Sequence, residues 1–446
     1  MRTVLIIITM VLIPFLSFAQ EELSLEKAIE IALHKNSTLQ KNLYGLEGYE
    51  SNVLASYGNF LPTFGAGAGW NWTRSEGVGI EFVGGTPIEI SSSTESRSYS
   101  AGVSGSWQLF DGLSNFATLS QSQNDLESAK LSLDRLKQDI VFQTTSLYYD
   151  IISAQKLLAV KDDNLKWNEK NLETIKERNK LGAATLADVY QQQVATGNAE
   201  LQIITTQNQL EVAKNNLLFY LGLDVLQEFK FDDKLSKEES DVLGSDLSAD
   251  YEKIAELVGQ ALNSRSDYKS AQLNLESAED GVTIAQSGHW FSLSASGSYT
   301  LSGTQISTID DLKRTQVGLS LSIPIFSGWS VSNRVQFAEV NVKTKEIELL
   351  DLERNIKLDL QTTFLDLQAA HKGLKVSENN VKFAEENLRI EQEKYSLGSG
   401  KLLDVLIANS NYTTALSDLI NAQYSYIVLS EKLKYNLGVL DYTKYE

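Results

Sequence analysis

From Leu113 to Leu181 the sequence runs for 69 residues without a glycine or a proline. As one helix, at about 1.5 Å per residue, this run is near 100 Å long, whereas helices of globular proteins average about 11 to 12 residues. A rod of that length predicts a bundle, a coiled coil or a tunnel wall. A second run, Trp329 to Leu397, equals it and is broken only by Gly373. Within it Leu349, Leu352, Ile356, Leu360, Leu367, Ala370 and Leu374 keep the spacing of a coiled-coil seam.

The two runs belong to a duplication. A shift of 216 residues pairs Gly102 with Gly318, Phe110 with Phe326, Gly112 with Gly328 and Asp150 with Asp366, and it holds without a gap through Gly182/Gly398, Asp188/Asp404 and Gly222/Gly438. Two copies of one supersecondary unit predict pseudo-symmetry.

Each long run follows a pair of alternating segments. In residues 62–73, Pro62, Phe64, Ala66, Ala68, Trp70 and Trp72 share one face, and Thr63, Gly65, Gly67, Gly69, Asn71 and Thr73 the other. In residues 98–109, Tyr99, Val103, Trp107 and Leu109 alternate with serines, Gly102 and Gln108. The second half repeats this: Phe291, Leu293, Tyr299 and Leu301 alternate with serines, then Val317, Leu319, Leu321 and Ile323 with Gln316, Gly318 and serines. Strands of about 12 residues, apolar on one face and small-polar on the other, match a transmembrane barrel with a wet interior. A soluble sandwich also alternates, but its polar face normally carries Lys, Glu and Thr.

Trp70, Trp72, Tyr99 and Trp107 lie near strand ends and read as interfacial girdles. Pro62 and Pro324 are expected at strand ends, where no ladder donor is needed. The glycine and serine content of residues 74–97 predicts a mobile exposed loop, 13 residues longer than its counterpart at 303–313.

Before the strands, residues 23–34 read as a short amphipathic helix capped by Ser24, and residues 37–59 as a second helix. Gly45, Gly48 and Gly58 point to close packing or a kink there. The counterpart in the second half is residues 261–288. After the long runs, Gly182 and Gly398 suit left-handed helix ends. Thr185-x-x-Asp188 then forms a capping box, and Lys401-x-x-Asp404 an incomplete one, before return helices to Leu221 and Leu437.

The organisation follows: a signal peptide over residues 1–19; a first repeat over 20–222 (hairpin 62–109, long helix 113–181, return helix 185–221); a charged connector over 223–250; and a second repeat over 251–446 (hairpin 291–326, long helix 329–397, return helix 401–437). The signal rests on Arg2, the apolar run from Thr3 to Leu16, and the small Ser17 and Ala19 at a peptidase site. With no cysteine there is neither a disulfide nor a lipidated thiol, so strands alone would hold a membrane. A formal charge of −19 argues against nucleic acid. His34, His289 and His371 lack metal-ligand spacing, and no nucleophile stands beside a base, so neither an enzyme nor a cofactor is expected.

Signal, two helix–hairpin–long helix–return helix repeats, the motifs Leu181-Gly182-x5-Asp188-Val189 and Leu397-Gly398-x5-Asp404-Val405, and the endings Leu221-Gly222 and Leu437-Gly438 together resemble the TolC family of outer-membrane efflux channels. The resemblance implies an α+β membrane protein, a homotrimer with a 12-stranded barrel among outer-membrane lipid and a 12-helix periplasmic tunnel. It also implies a passive duct fed by a periplasmic adaptor and an inner-membrane transporter of RND, ABC or MFS type. The docking tip and aperture would comprise Leu181, Gly182, Thr185, Asp188, Leu397, Gly398, Ser399 and Asp404. The chain departs from the family where prolines often start the pre-strand helices, here Ser37 and Ser266, and where some members carry a second entrance aspartate, here Ile407. The other reading of the same long helices is a trimeric coiled-coil spacer or adhesin.

Overall fold

The computed structural model describes residues 21–232, 237–244 and 254–445. The expected signal peptide and parts of the connector lie outside them. Contacts divide the chain into two units, one of residues 43–133 and 266–354, the other of residues 21–42, 134–265 and 355–445.

The first unit holds a four-stranded antiparallel sheet, ordered β2 (Thr63–Val83), β3 (Thr86–Phe110), β5 (Ser292–Gly303) and β6 (Leu312–Ser322). The register puts Trp70 opposite Tyr99, Val103 opposite Tyr299, and Ala295 opposite Leu319, so the apolar residues of all four strands share one face. That face is bare, with Phe64, Trp70, Val317 and Leu319 all exposed.

The first hairpin corrects the expectation of a loop over residues 74–97. The ladder continues without a break from Thr63/Ser106 to Val83/Thr86, and only Gly84 and Gly85 turn the chain, at φ 63° and 89°. Two positive φ values in a two-residue turn match the right-handed twist of the flanking strands. The Ser, Gly and Glu content hid a period of two that runs on through Val78, Ile80 and Phe82.

Helix α2 (Ser37–Gly58), α7 (Ser266–Gln286) and the first part of α3 (Ser114–Lys180) accompany the sheet. Small polar side chains join them: Ser56 and Ser122 hydroxyls lie 2.7 Å apart, Ser128 and Ser270 hydroxyls 2.8 Å apart, and Ser277 donates to Asp125 at 2.6 Å. A Cβ at Gly45, Gly48 or Gly58 would meet nothing within 4 Å, so the close packing expected of them is not found among the described residues. The strand-to-helix corners are left-handed pairs, Gly112-Leu113 at φ 71° and 73° and Gly328-Trp329 at 60° and 65°. At Gly112 the corner presses on Ser287, whose carbonyl oxygen lies 2.7 Å from where a Cβ would stand.

In the other unit α3 continues beside α4 (Leu186–Leu221), and α8 (Ser330–Ser396) beside α9 (Leu402–Leu437). Helix α8 passes through Gly373 unbroken. Its face of Leu367 and Leu374 packs on fully buried Tyr426 of α9. Helix α1 (Leu25–Lys35) starts at Ser24, whose hydroxyl accepts from the Lys27 amide, and buries Ala28, Ile29, Ala32 and Leu33.

The two repeats close alike. Gly222 ends α4 against the Lys35 carbonyl, and Gly438 ends α9 against Arg265. Arg265 is also where the expected helix over residues 261–288 divides, into α6 (Ile254–Ser264) and α7. Asn36, at the matching break of the first repeat, accepts from the Thr38 and Leu39 amides and donates to the Tyr220 carbonyl at 3.0 Å. The helix pair is thus broken in both halves, by a residue that reaches the end of the return helix.

The connector adds a strand, β4 (Phe229–Phe231), which pairs in parallel with β1 (Glu21–Leu23), and a short helix, α5 (Lys237–Gly244). The Tyr148 hydroxyl of α3 lies between the ends of the two strands, 2.8 Å from the carbonyl of Asp232, just past β4, and 3.1 Å from that of Leu23, which share its single proton. Pro62 precedes β2 by one residue, whereas Pro324 stands two residues beyond β6, because that strand stops at Ser322 rather than at Ile325. No described helix is long and apolar enough to cross a membrane.

Candidate functional site

The two helix-to-helix turns meet in space. Helix α3 ends in a left-handed cap: Gly182, at φ 72°, donates to the Asn179 carbonyl at 2.9 Å, and Ala183 to that of Arg178 at 2.8 Å. Helix α8 ends the same way, Gly398 donating to Tyr395 and Ser399 to Lys394 at 3.1 and 3.0 Å. These bonds satisfy carbonyls that a helix end leaves bare. Each cap is preceded by an exposed leucine, Leu181 at 84 % and Leu397 at 76 %.

Beyond the caps the turns differ. Thr185 accepts from the Asp188 amide at 3.1 Å while Asp188 accepts from the Thr185 amide at 2.9 Å, a closed capping box. Lys401 offers no acceptor to α9, and Asp404 makes no capping bond. Asp404 instead lines an open groove with Ser399, Glu391, Lys394 and Ile407. Asp188 is therefore committed to a helix start and Asp404 is not.

A small core joins the turns: Ile175 of α3, Val189 of α4 and Leu402 of α9 are buried together, with Tyr395 of α8 packed against them. The Arg178 guanidinium stands 5.2 Å from the Tyr395 ring centre, where a cation is attracted to the ring face. Behind this core a polar network links three helices: buried Gln192 donates to Asn168 at 3.0 Å, and Asn409 to Asn164 at 2.7 Å. The hydrogen bond from Arg389 holds the Glu386 carboxyl below its usual range, and the same guanidinium reaches Glu393 at 3.3 Å. Burial raises the Tyr412 phenol, and Glu385 adds to the rise.

Sequence reasoning located the turns but not the cluster between them. The repeat offset aligns Asn179 with Tyr395, and this mismatch was the available signal. Asn179 closes its own turn by donating to the Ala184 carbonyl, whereas Tyr395 packs across to the other.

The girdle candidates stand on the sheet, but only Trp107 lies near a strand end: Trp70, Trp72 and Tyr99, expected there, fall inside β2 and β3 because the ladder runs on to Val83 and Thr86. Trp70, Trp72 and Trp107 are exposed, and Trp107 donates its ring N–H to the Phe60 carbonyl at 2.9 Å, which ties it to the helix-to-strand link. Nothing among the described residues groups acidic or histidine side chains as a metal site.

Comparison with known proteins decides the family. The profile described as "Outer membrane efflux protein" matches residues 28–223 and 257–439, which is most of both repeats. The chain belongs to that family. This efflux protein is 22 % identical to outer membrane protein TolC of Escherichia coli (strain K12), over 98 % of its own length and 86 % of the relative's. It superposes on the outer membrane protein VceC of Vibrio cholerae with a TM-score of 0.76 and 19 % identity, over 93 % of this chain and 96 % of that one. The Neisseria gonorrhoeae MtrE channel, a structure of an open state, gives 0.72 and 18 %, over 93 % and 89 %. The efflux protein is an outer-membrane channel component without enzymatic activity, and its helices belong to a periplasmic tunnel.

The unequal caps give a first expected outcome. Thr185→Ala removes the box and costs about 1 kcal/mol at the start of α4, so amide exchange of Leu186 to Tyr190 should quicken several-fold. Lys401→Thr supplies the missing acceptor and should slow exchange of Leu402 to Val405. Equal exchange in all three proteins would show that packing between the turns, not capping, sets their stability.

Proposed function

We propose that three copies of this chain close one barrel and one tunnel. In that assembly the tunnel passively conducts solutes from a periplasmic adaptor, coupled to an inner-membrane transporter, to the outside. The observation that carries the reading is the sheet: four strands, with β2 and β6 as open edges and a bare apolar face. Membrane barrels have at least about eight strands and no edges. Pairing β6 of one copy with the first half of β2 of the next removes both edges and yields twelve strands.

In this reading Leu181, Gly182, Thr185 and Asp188, with Leu397, Gly398, Ser399 and Asp404, form the periplasmic tip where the adaptor docks. Small molecules are the proposed cargo, with the transporter of RND, ABC or MFS type setting their identity. Trp70, Trp72, Tyr99 and Trp107 mark the levels of the lipid interfaces.

The absence of cysteine allows a direct test. Ser399→Cys places one thiol at an exposed position of the second turn. A photo-crosslinker on that thiol, activated in cells, is expected to capture a periplasmic adaptor identifiable by mass spectrometry. Labelling of the thiol by impermeant reagents outside intact cells, with no adaptor captured, would overturn the duct and favour an outward-facing stalk.

A further inference from the structure

The face of the sheet opposite the aromatic residues is made of small uncharged side chains, with one exception. Between Thr63 and Thr73 of β2, and across their partners on β3, β5 and β6, this face carries Ser, Gly, Thr, Asn, Gln and Leu312. Arg97 and Lys313 lie on the other face, with the apolar residues, by the alternation of the strands. Within that span, among the described residues, Arg314 is the single charge on the small-residue face.

Its place in the ladder leaves it room. Arg314 pairs with Thr300, Thr300 with Gly102, and Gly102 with Gly67, so the cross-strand row bearing the charge has two positions without a side chain. Leu312 and Gln316, its neighbours along β6 on the same face, are uncharged. Arg314 is exposed and makes no ion pair among the described residues, while the adjacent Lys313 is paired with Asp310 at 3.5 Å. The next charge on this face is Glu81, fourteen residues along β2 from Gly67, about 46 Å at 3.3 Å per residue. That is several times the roughly 10 Å over which 0.1 M salt lets charges interact.

We propose that Arg314 forms a ring of three fixed positive charges on the lumen wall of the barrel, which favours anionic solutes, those with carboxylate, phosphate or sulfonate groups, at the exit. The inference rests on the trimeric channel proposed above. A guanidinium stays charged at any physiological pH and binds such groups through two parallel hydrogen bonds. Rings of Arg or Lys confer anion preference on pores, and low-dielectric walls concentrate the field of the ring in the lumen. The preference runs against the net charge of −19 of the whole chain, so bulk acidity cannot produce it.

The test uses the full chain in planar bilayers of neutral lipid under a KCl gradient at low ionic strength. Relative to wild type, Arg314→Gln is expected to lower the chloride-to-potassium permeability ratio about two- to threefold. Lys313→Gln removes the same charge from the opposite face and should leave the ratio unchanged, and Arg314→Lys should preserve it. Arg314→Cys allows the comparison on one folded channel: a cationic thiol reagent should restore the ratio and an anionic one lower it further. Channels whose reversal potential is the same for wild type, Arg314→Gln and both modified thiols would overturn the ring while leaving the channel standing. Absence of current from every form would overturn the channel, and the ring with it.

Discussion

A chain carrying both Leu181→Asp and Leu397→Asp is expected to reach the outer membrane folded and yet leave the cell as sensitive to exported compounds as a deletion. Both leucines are exposed at the ends of the long helices, just before the left-handed glycines. Neither supports the buried cluster of Ile175, Val189 and Leu402, so the turns should keep their shape. What is lost is apolar area available to a docking partner. Burying a leucine contributes about 2 kcal/mol, so losing two such contacts weakens docking about a thousandfold, at roughly 1.4 kcal/mol per factor of ten. The aspartates add a charge that docking would have to desolvate. Minimal inhibitory concentrations across a compound panel, read beside capture of the adaptor through Ser399→Cys, check this. Wild-type resistance in the double variant would move the docking surface away from the turns.

The second large effect concerns the strand-to-helix corners, and it separates the two repeats. Gly112→Ala should lower the stability of the first corner by about 3 kcal/mol, roughly 1 to 2 for a side chain at φ 71° and the rest for overpacking. Its Cβ would stand 2.7 Å from the Ser287 carbonyl oxygen and 2.9 Å from Cβ of Trp290, and backbone cannot easily yield. Gly328→Ala is the same change at the equivalent place, yet nothing lies within 4 Å of its Cβ and φ is 60°. It should cost only about 1 kcal/mol. Thermal unfolding in detergent, together with the fraction of each variant assembled in the outer membrane, measures the difference. Equal losses would mean that conformational strain alone governs both corners.

What could be read from the sequence follows the length scale of each signal. A run without Gly or Pro, closed by Gly182 or Gly398, announces a helix through dozens of agreeing residues, and α3 and α8 end within a residue of those runs. The apolar alternation of Phe64 to Trp72 and of Val317 to Leu321 likewise announces strands. The extension of β2 and β3 was obscured because Glu76, Glu81, Glu89 and three consecutive serines from Ser91 are residues that strands usually lack. There the ladder wins through the Gly84-Gly85 turn. The pairing of β1 with β4 involves three residues from each of two segments about two hundred positions apart, too short to show a period. At the turns the glycines and the Thr185 box were legible, but the cluster around Tyr395 depends on long-range packing that no local pattern encodes.

The inequality of Thr185 and Lys401 has a consequence for how a ring of turns responds to pulling. In the proposed trimer six turns would surround one opening, in alternation, three whose return helix starts with a reciprocal side-chain cap and three whose return helix starts without one. Under a uniform outward load, resistance is lowest at every second corner. The opening would therefore widen as a triangle rather than as a hexagon, its vertices led by the α8-to-α9 turns. A single substitution is copied to all three equivalent corners, so mutation can tune the stiffness of a triad but never that of one corner.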